Sequence, residues 1–323
     1  MRDFIELMKR GNKSAFLAAI VNAAVAIIKG SAFFVTGNVA MFAETMHSLG
    51  DTANQLFVFI GSALSKKMPT DRFPNGFGRL VNLVLLGAVL IVGIMSFETI
   101  KEGYHHIIHP TSSHGYLLNI AVLACATMLE SFVLFRAMKE ILHECKLEAK
   151  GFDIFLKSFA HLGYAKPATK LVFMEDMVAT GGGLLAILAV TIAHFTPFHQ
   201  AEGIASVLIG VLMFFVVGKV FLDNAAGVLG VSDEQMEEKI GNLIIADPDV
   251  KDIQQIFVIK EGEAVHVEVE IEIDPSLTVA AADDIKDRLE KKIFEQKGVA
   301  DVIIEFDEDD GVLNWHKERE NQI

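Results

Sequence analysis

The chain has 323 residues, 52% of them hydrophobic, and a formal charge of −14. That acidity is local: Val231–Asp310 holds 24 Asp/Glu against 8 Lys/Arg, a net of −16, which leaves the rest of the chain near +2. No basic stripe exists to neutralise phosphates, which excludes a nucleic-acid surface. The two isolated cysteines, Cys125 and Cys145, give neither a CxxC pair nor a disulfide framework.

A helix crossing ~30 Å of hydrocarbon needs about 20 apolar residues. Six segments meet that test: Ser14–Phe34, Val39–Leu64, Leu80–Ile100, Tyr116–Ala137, Leu171–Phe195 and Ile204–Leu222. Helix is the expected state, since an open strand would leave backbone groups unpaired in lipid. The first run is longer than a secretory h-region, so no cleavable signal is expected. Lys and Arg alternate by loop. Arg2, Lys9, Arg10 and Lys13 precede the first span, Lys66, Lys67, Arg72 and Arg79 follow the second, and seven more basic residues from Arg136 to Lys170 follow the fourth. The other three loops contain none. The positive-inside rule then puts both termini in the cytoplasm. Phe152–Ala165 suits either an interfacial helix or a loop packed on a cytoplasmic domain.

After Gly227 the pattern changes. Ser232–Ile245 reads as a helix with Ser232 as N-cap, Val250–Ile259 and Ala264–Ile273 as strands, Thr278–Gln296 as a helix and Ala300–Phe306 as a third strand. The second strand alternates Val265, Val267, Val269, Ile271 and Ile273 with His266, Glu268, Glu270 and Glu272, which would be a solvated acidic face. The expected fold is a membrane all-α six-helix bundle plus a C-terminal α+β domain of order αββαβ, an open sheet with helices packed on one face. The boundaries are a six-span membrane domain over 1–228, a cytoplasmic domain over 229–310 and a polar tail over 311–323, with Trp315 expected to be mobile.

Ionisable groups at mid-membrane are costly, so they stand out as functional candidates. Glu44, His47 and Asp51 are spaced i, i+3, i+7 in the second span, and on a helix they fall within about 60° of one another. A His and a carboxylate one turn apart can ligate one cation, and imidazole suits zinc and related transition metals. The fifth span adds Glu175 and Asp176, followed by small residues Ala179 and Gly181–Gly183 that allow a neighbouring helix to approach closely. Four weaker features accompany these. His105, His106 and His109 form an interfacial polar group that could also accept metal. Glu130 would pair with a neighbouring helix, and Glu202 and Asn22 could line an aqueous path. Lys29 either snorkels or pairs with a carboxylate.

Together these residues resemble the cation diffusion facilitator family. The resemblance rests on Asn22, Lys29, Thr36-Gly37-Asn38, Glu44 with His47-Ser48 and Asp51, Asp71-Arg72 and Gly76-Phe-Gly-Arg79, and it covers nearly the whole chain. The family's HxxxD or DxxxD in the second span and HxxxD in the fifth form its transport site. The resemblance therefore implies His47, Asp51 and Asp176 as metal ligands. Val172 stands where the family's fifth-span His would be. Glu44, Glu175 or water is left to fill the fourth position, and Glu175-Asp176 looks like the branch that includes the mitochondrial zinc transporter. The cytoplasmic domain resembles the family's ferredoxin-like dimerisation domain, whose histidine-rich regulatory zinc sites would map to Lys251, Glu270, Asp283 and Glu305, with Asp307 retained, a set that suits harder ions or no ion better than zinc.

The expected activity is proton-coupled antiport of a divalent metal out of the cytoplasm, with no enzymatic chemistry. Zn2+ is the expected substrate, Mn2+, Fe2+ or Co2+ fit related donor sets, and no organic cofactor is implied. No GxxxxGK[ST] loop signals ATP-driven pumping. The expected partners are the metal, protons, membrane lipid and a second copy of the chain, in a bacterial inner membrane. A metal-gated sensor or scaffold without transport is the alternative. An intramembrane metalloenzyme is disfavoured, because His47 is followed by Ser48 and no HExxH is present.

Overall fold

The computed structural model describes residues 6–73, 76–147, 149–162, 167–261 and 264–315. Arg2, Lys166 and the last residues of the Phe152–Ala165 segment lie outside the described residues, as does the tail beyond Trp315. Two compact units are present: Gly11–Ile60 with Val84–Asp223, and Met1–Arg10, Gly61–Leu83 and Asn224–Ile323.

Among the described residues, six helices have the length of a span: α1 (Lys13–Thr36), α2 (Val39–Ser65), α3 (Leu80–Ile108), α4 (Tyr116–Glu144), α6 (Pro167–Phe195) and α7 (Gln200–Leu229). Asn12 starts α1 by accepting hydrogen bonds from the backbone N–H groups of Ser14 and Ala15. Gly37, at φ 67°, ends it by donating its N–H to Phe33 O. Most of the long helices run a turn or more beyond their expected bounds, because polar residues such as Lys139 and Glu140 continue a helix once it leaves hydrocarbon.

Five of the described helices are apolar enough to cross a bilayer by length and composition: Lys13–Thr36, Leu80–Ile108, Tyr116–Glu144, Val172–Phe195 and Gln200–Leu229. The 27-residue α2 is long enough, at ~1.5 Å per residue, to cross as well. It falls short in apolarity because it carries Glu44, His47, Asp51 and Asn54. The distribution of side chains in this unit suits lipid. Large apolar residues face outward, with Phe34 86% and Leu117 80% exposed, while the interior is built from small ones such as Ala32, Ala40, Ala43, Ala186, Ala189 and Ala205. Small residues let backbones meet: a Cβ on Gly103 of α3 would lie 2.8 Å from Gly203 O of α7.

The short α5 (Asp153–Ala160) occupies the connection between α4 and α6. Its buried Ile154 joins Leu134, Met138, Ile141 and Phe173 in one cluster, while Phe155, Leu156 and Phe159 stay exposed.

The other unit contains β1 (Val231–Ser232), α8 (Glu234–Ile245), β2 (Asp252–Glu261), β3 (Ala264–Ile273), α9 (Val279–Phe294) and β4 (Val299–Glu308). The sheet order is β1-β2-β3-β4, with β3 antiparallel to β2 and parallel to β4. Ile240 and Ile244 of α8 and Ile285, Leu289 and Ile293 of α9 pack on Val265, Val267, Val269 and Ile271 of β3. Two expectations are corrected. Ser232 is a strand residue paired with Ile259, and Asp233 is the N-cap, its carboxylate accepting from Met236 N–H. Trp315 is held, not mobile: it is 6% exposed within the domain core, and Asp252 accepts the backbone N–H groups of Asn314 and Trp315.

Candidate metal-transport site

The helical period brings His47 and Asp51 to one face of α2, where Nε2 of His47 stands 3.6 Å from Oδ2 of Asp51. His47 is buried and Asp51 is 40% exposed at its side chain, so the pair spans the step from packed interior to open space. His47 Nε2 makes no hydrogen bond among the described residues. A cavity opens beside them, with His47, Asp51, Asn54 and Glu175 on its polar side and valines of α3, α6 and α7 opposite. Asn54 Nδ2 donates to Glu175 Oε1 at 3.5 Å, which ties α2 to α6 across it.

Asp176 lies beside this group, and its Oδ2 is buried without a hydrogen-bond partner among the described residues. The Asp51 carboxylate repels both Glu175 and Asp176. A divalent ion, or protons, would relieve such a concentration of negative charge around one imidazole in a weakly screened medium. Among the described residues, no three His, Cys, Asp or Glu side chains are drawn into a single metal-holding group. What is assembled is a His–Asp pair on α2 that shares one cavity with Glu175 of α6, with Asp176 next to Glu175 in sequence. Glu44 turns elsewhere: its Oε2 accepts from Lys29 Nζ at 2.8 Å, and Lys29 also donates to Glu130 Oε1 at 2.9 Å. Of the two roles open to Lys29, it takes pairing. Val172, four residues before Asp176, is 47% exposed.

Sequence reasoning missed Asn54, although it lies seven residues after His47 on the same stripe and the helical period alone would have found it. The three expected histidines at the end of α3 part company. His105 and His109 have ring centroids 5.2 Å apart, whereas His106 is buried with Nε2 3.2 Å from His199 O and 4.0 Å from Glu202 Oε2. Glu202 is 1% exposed and accepts from Ser113 Oγ at 2.7 Å. In the sheet, Glu270 is the register neighbour of Glu305, and Glu272 of Asp307, while Asp283 is exposed on α9. Cys125 and Cys145 are free thiols.

Two family models match. The cation efflux transmembrane domain covers residues 15–228, and the cytoplasmic domain of cation efflux proteins covers residues 232–309. Among curated relatives, the mitochondrial proton-coupled zinc antiporter SLC30A9 of Mus musculus is 25% identical over 297 residues, 90% of this chain and 50% of its own length. The SLC30A9 protein of Xenopus laevis is 26% identical over 272 residues, 83% of this chain and 47% of its own length. This chain therefore spans about half the length of those relatives. The cation-efflux pump FieF of Escherichia coli O139:H28 (strain E24377A / ETEC) is 21% identical over 302 residues and is matched over 92% of both chains. These relatives are transporters rather than enzymes, and the long apolar helices described above are those of an integral membrane protein. Two matched models that together cover both the helical bundle and the small sheet domain place this chain in the cation efflux family.

Proposed function

We propose that the chain exchanges a divalent metal ion, zinc first, for protons across the bilayer. His47, Asp51 and Asp176 ligate the ion, and Glu175 completes the set from the same cavity wall. The observation that carries this reading is the His47–Asp51 pair, which shares one cavity with Glu175 of α6. Metal binding requires these groups deprotonated, so metal entry and proton departure are linked without ATP. The His47 nitrogen is the donor that suits zinc, while the carboxylates leave manganese, iron and cobalt as further candidates. The SLC30A9 relatives, proton-coupled zinc antiporters, agree with this choice.

The transport domain spans 1–228, the cytoplasmic domain 229–310 and the tail 311–323, with both termini cytoplasmic on the positive-inside rule and the membrane a bacterial inner membrane. The cytoplasmic domain holds a homodimer. Metal flux into sealed proteoliposomes tests the transport reading. Zinc uptake driven by an imposed pH gradient is expected, and its absence in a folded, metal-binding protein would show a non-transporting sensor instead. That second reading has one observation in its favour, the Glu270–Glu305 register pair, two carboxylates on neighbouring strands suited to a hard cation.

A further inference from the structure

Three charged side chains from three helices meet inside the helical unit. Lys29 of α1 donates from Nζ to Glu44 Oε2 of α2 at 2.8 Å and to Glu130 Oε1 of α4 at 2.9 Å. The side chains of Lys29 and Glu44 are 0% exposed and that of Glu130 is 18% exposed. Each carboxylate keeps one buried oxygen, Glu44 Oε1 and Glu130 Oε2, with no hydrogen-bond partner among the described residues. A missing side chain on α6 makes room for the first of these: a Cβ on Gly182 would lie 2.8 Å from Glu44 Oε1.

One ammonium thus serves two carboxylates, and the triad carries a surplus negative charge. Burying such groups is costly unless they are paired. Glu44 stands one turn before His47 on α2, on the same stripe as the transport ligands. Released from its ammonium, its carboxylate is a ready oxygen donor for a divalent ion, and Glu130 would add a second. We propose that Lys29 determines the metal specificity of the pathway by acting as a resident cation. It claims Glu44 and Glu130 and keeps both out of the transported ion's coordination sphere. This inference rests on the transport-site reading above. Its consequence is a small donor set with His47 prominent in it, which favours zinc. A carboxylate-rich set would suit manganese and other harder ions.

The test uses the purified full-length chain in detergent, counting bound zinc per chain and measuring Mn2+ affinity by competition. Lys29→Met keeps an unbranched stem and removes the charge. It is expected to bind Mn2+ more tightly, on the order of tenfold or more, as Glu44 and Glu130 become free to join the transported ion's coordination sphere. Lys29→Met/Glu44→Gln/Glu130→Gln removes the three charges together and is expected to keep the parent's zinc count and affinity. A folded Lys29→Met protein with parent Mn2+ affinity would overturn the proposal. So would a folded triple variant that loses zinc affinity as Asp51→Ala does. Where Lys29→Met does not fold, the triple variant decides by that same criterion. Asp51→Ala keeps the two ideas apart, because Asp51 is no part of the triad. If it leaves zinc binding unchanged, the transport site is misassigned, whereas failure in the Lys29 series alone overturns only the specificity role.

Discussion

His47 Nε2 and Asp51 Oδ2 stand 3.6 Å apart, one turn along the same helix, and the imidazole nitrogen makes no other polar contact among the described residues. A divalent ion between such donors is held by rigid backbone, so losing one donor is not made good by rearrangement. Asp51→Ala and Asp176→Ala should each lower zinc affinity on the order of 10–100-fold or more. Proteoliposome zinc flux and equilibrium binding both measure this. His47→Ala should in addition lower the number of protons exchanged per zinc, read by a pH-sensitive dye inside the vesicles, because the imidazole must be deprotonated to bind metal. Parent-level flux in both Asp variants would sink the assignment.

Val172 lies four residues before Asp176 on α6, so a histidine there would project on the same face as that carboxylate. Val172→His should tighten zinc binding relative to manganese, since nitrogen donors favour zinc. Competition between the two ions for the purified protein measures the ratio. An unchanged ratio would mean that position 172 does not reach the ion.

What was legible in the sequence follows from periodicity and cost. The HxxxD stripe of α2 could be read because three costly side chains recur at helical spacing in an apolar run, and the strands of the small domain because β3 alternates so regularly. Contacts between residues far apart along the chain were not legible. Lys29 finds Glu130 across 101 positions, and no local pattern names that partner. Alternation put Glu272 on the polar face of β3, yet it is buried, because Asn314 and Trp315 return over that end of the sheet. Alternation tells which side a residue takes and not what later covers it. The cap of α8 fell one residue beyond Ser232 because that residue's backbone is taken up by pairing with β2.

Arg288 grips Asp247 at two points, Nε to Oδ2 at 3.0 Å and Nη2 to Oδ1 at 2.6 Å, and Lys292 Nζ adds a third contact at 2.9 Å. Hydrogen bonds from Arg288, above all, hold the Asp247 carboxyl well below the usual carboxylate range. A lowered folded-state value means stability that is fully present above the unfolded value, about pH 4, and that is lost as pH falls through that value towards the folded one. Asp247→Asn should destabilise the domain by about 1–3 kcal/mol at pH 7, and the gap should close in acid. Trp315 is the single tryptophan in the chain and sits in this domain's core, so its fluorescence melt in the full-length protein reports this unit. A melt identical to the parent's at pH 7 would refute the role.

Glu272 presents the opposite sign. It is 1% exposed, its Oε2 lacks a hydrogen-bond partner among the described residues, and Oε1 has Asn314 Nδ2 at 3.5 Å. Burial, and then repulsion from Asp310, Asp252, Asp309 and Asp307, pushes its carboxyl up from the usual range. A raised carboxyl favours the folded state when protonated, so its contribution is lost as pH rises from the unfolded value, about 4.5, through the folded one. Glu272→Gln removes the charge and keeps the shape. It should therefore raise the fluorescence-detected melting temperature of the domain at pH 8, with an advantage that shrinks as the parent's Glu272 takes up a proton in acid. The same segment is held from the other side by Gly241 of α8, where any side chain would occupy the space of the Trp315 indole. Gly241→Ala should push the ring toward water and shift its emission to the red, leaving zinc flux through the His47–Asp51 site to be compared directly. If Glu272→Gln lowers the melting temperature at pH 8 instead, the buried carboxylate is paired in a way that stabilises the fold, and the sign argued here is wrong.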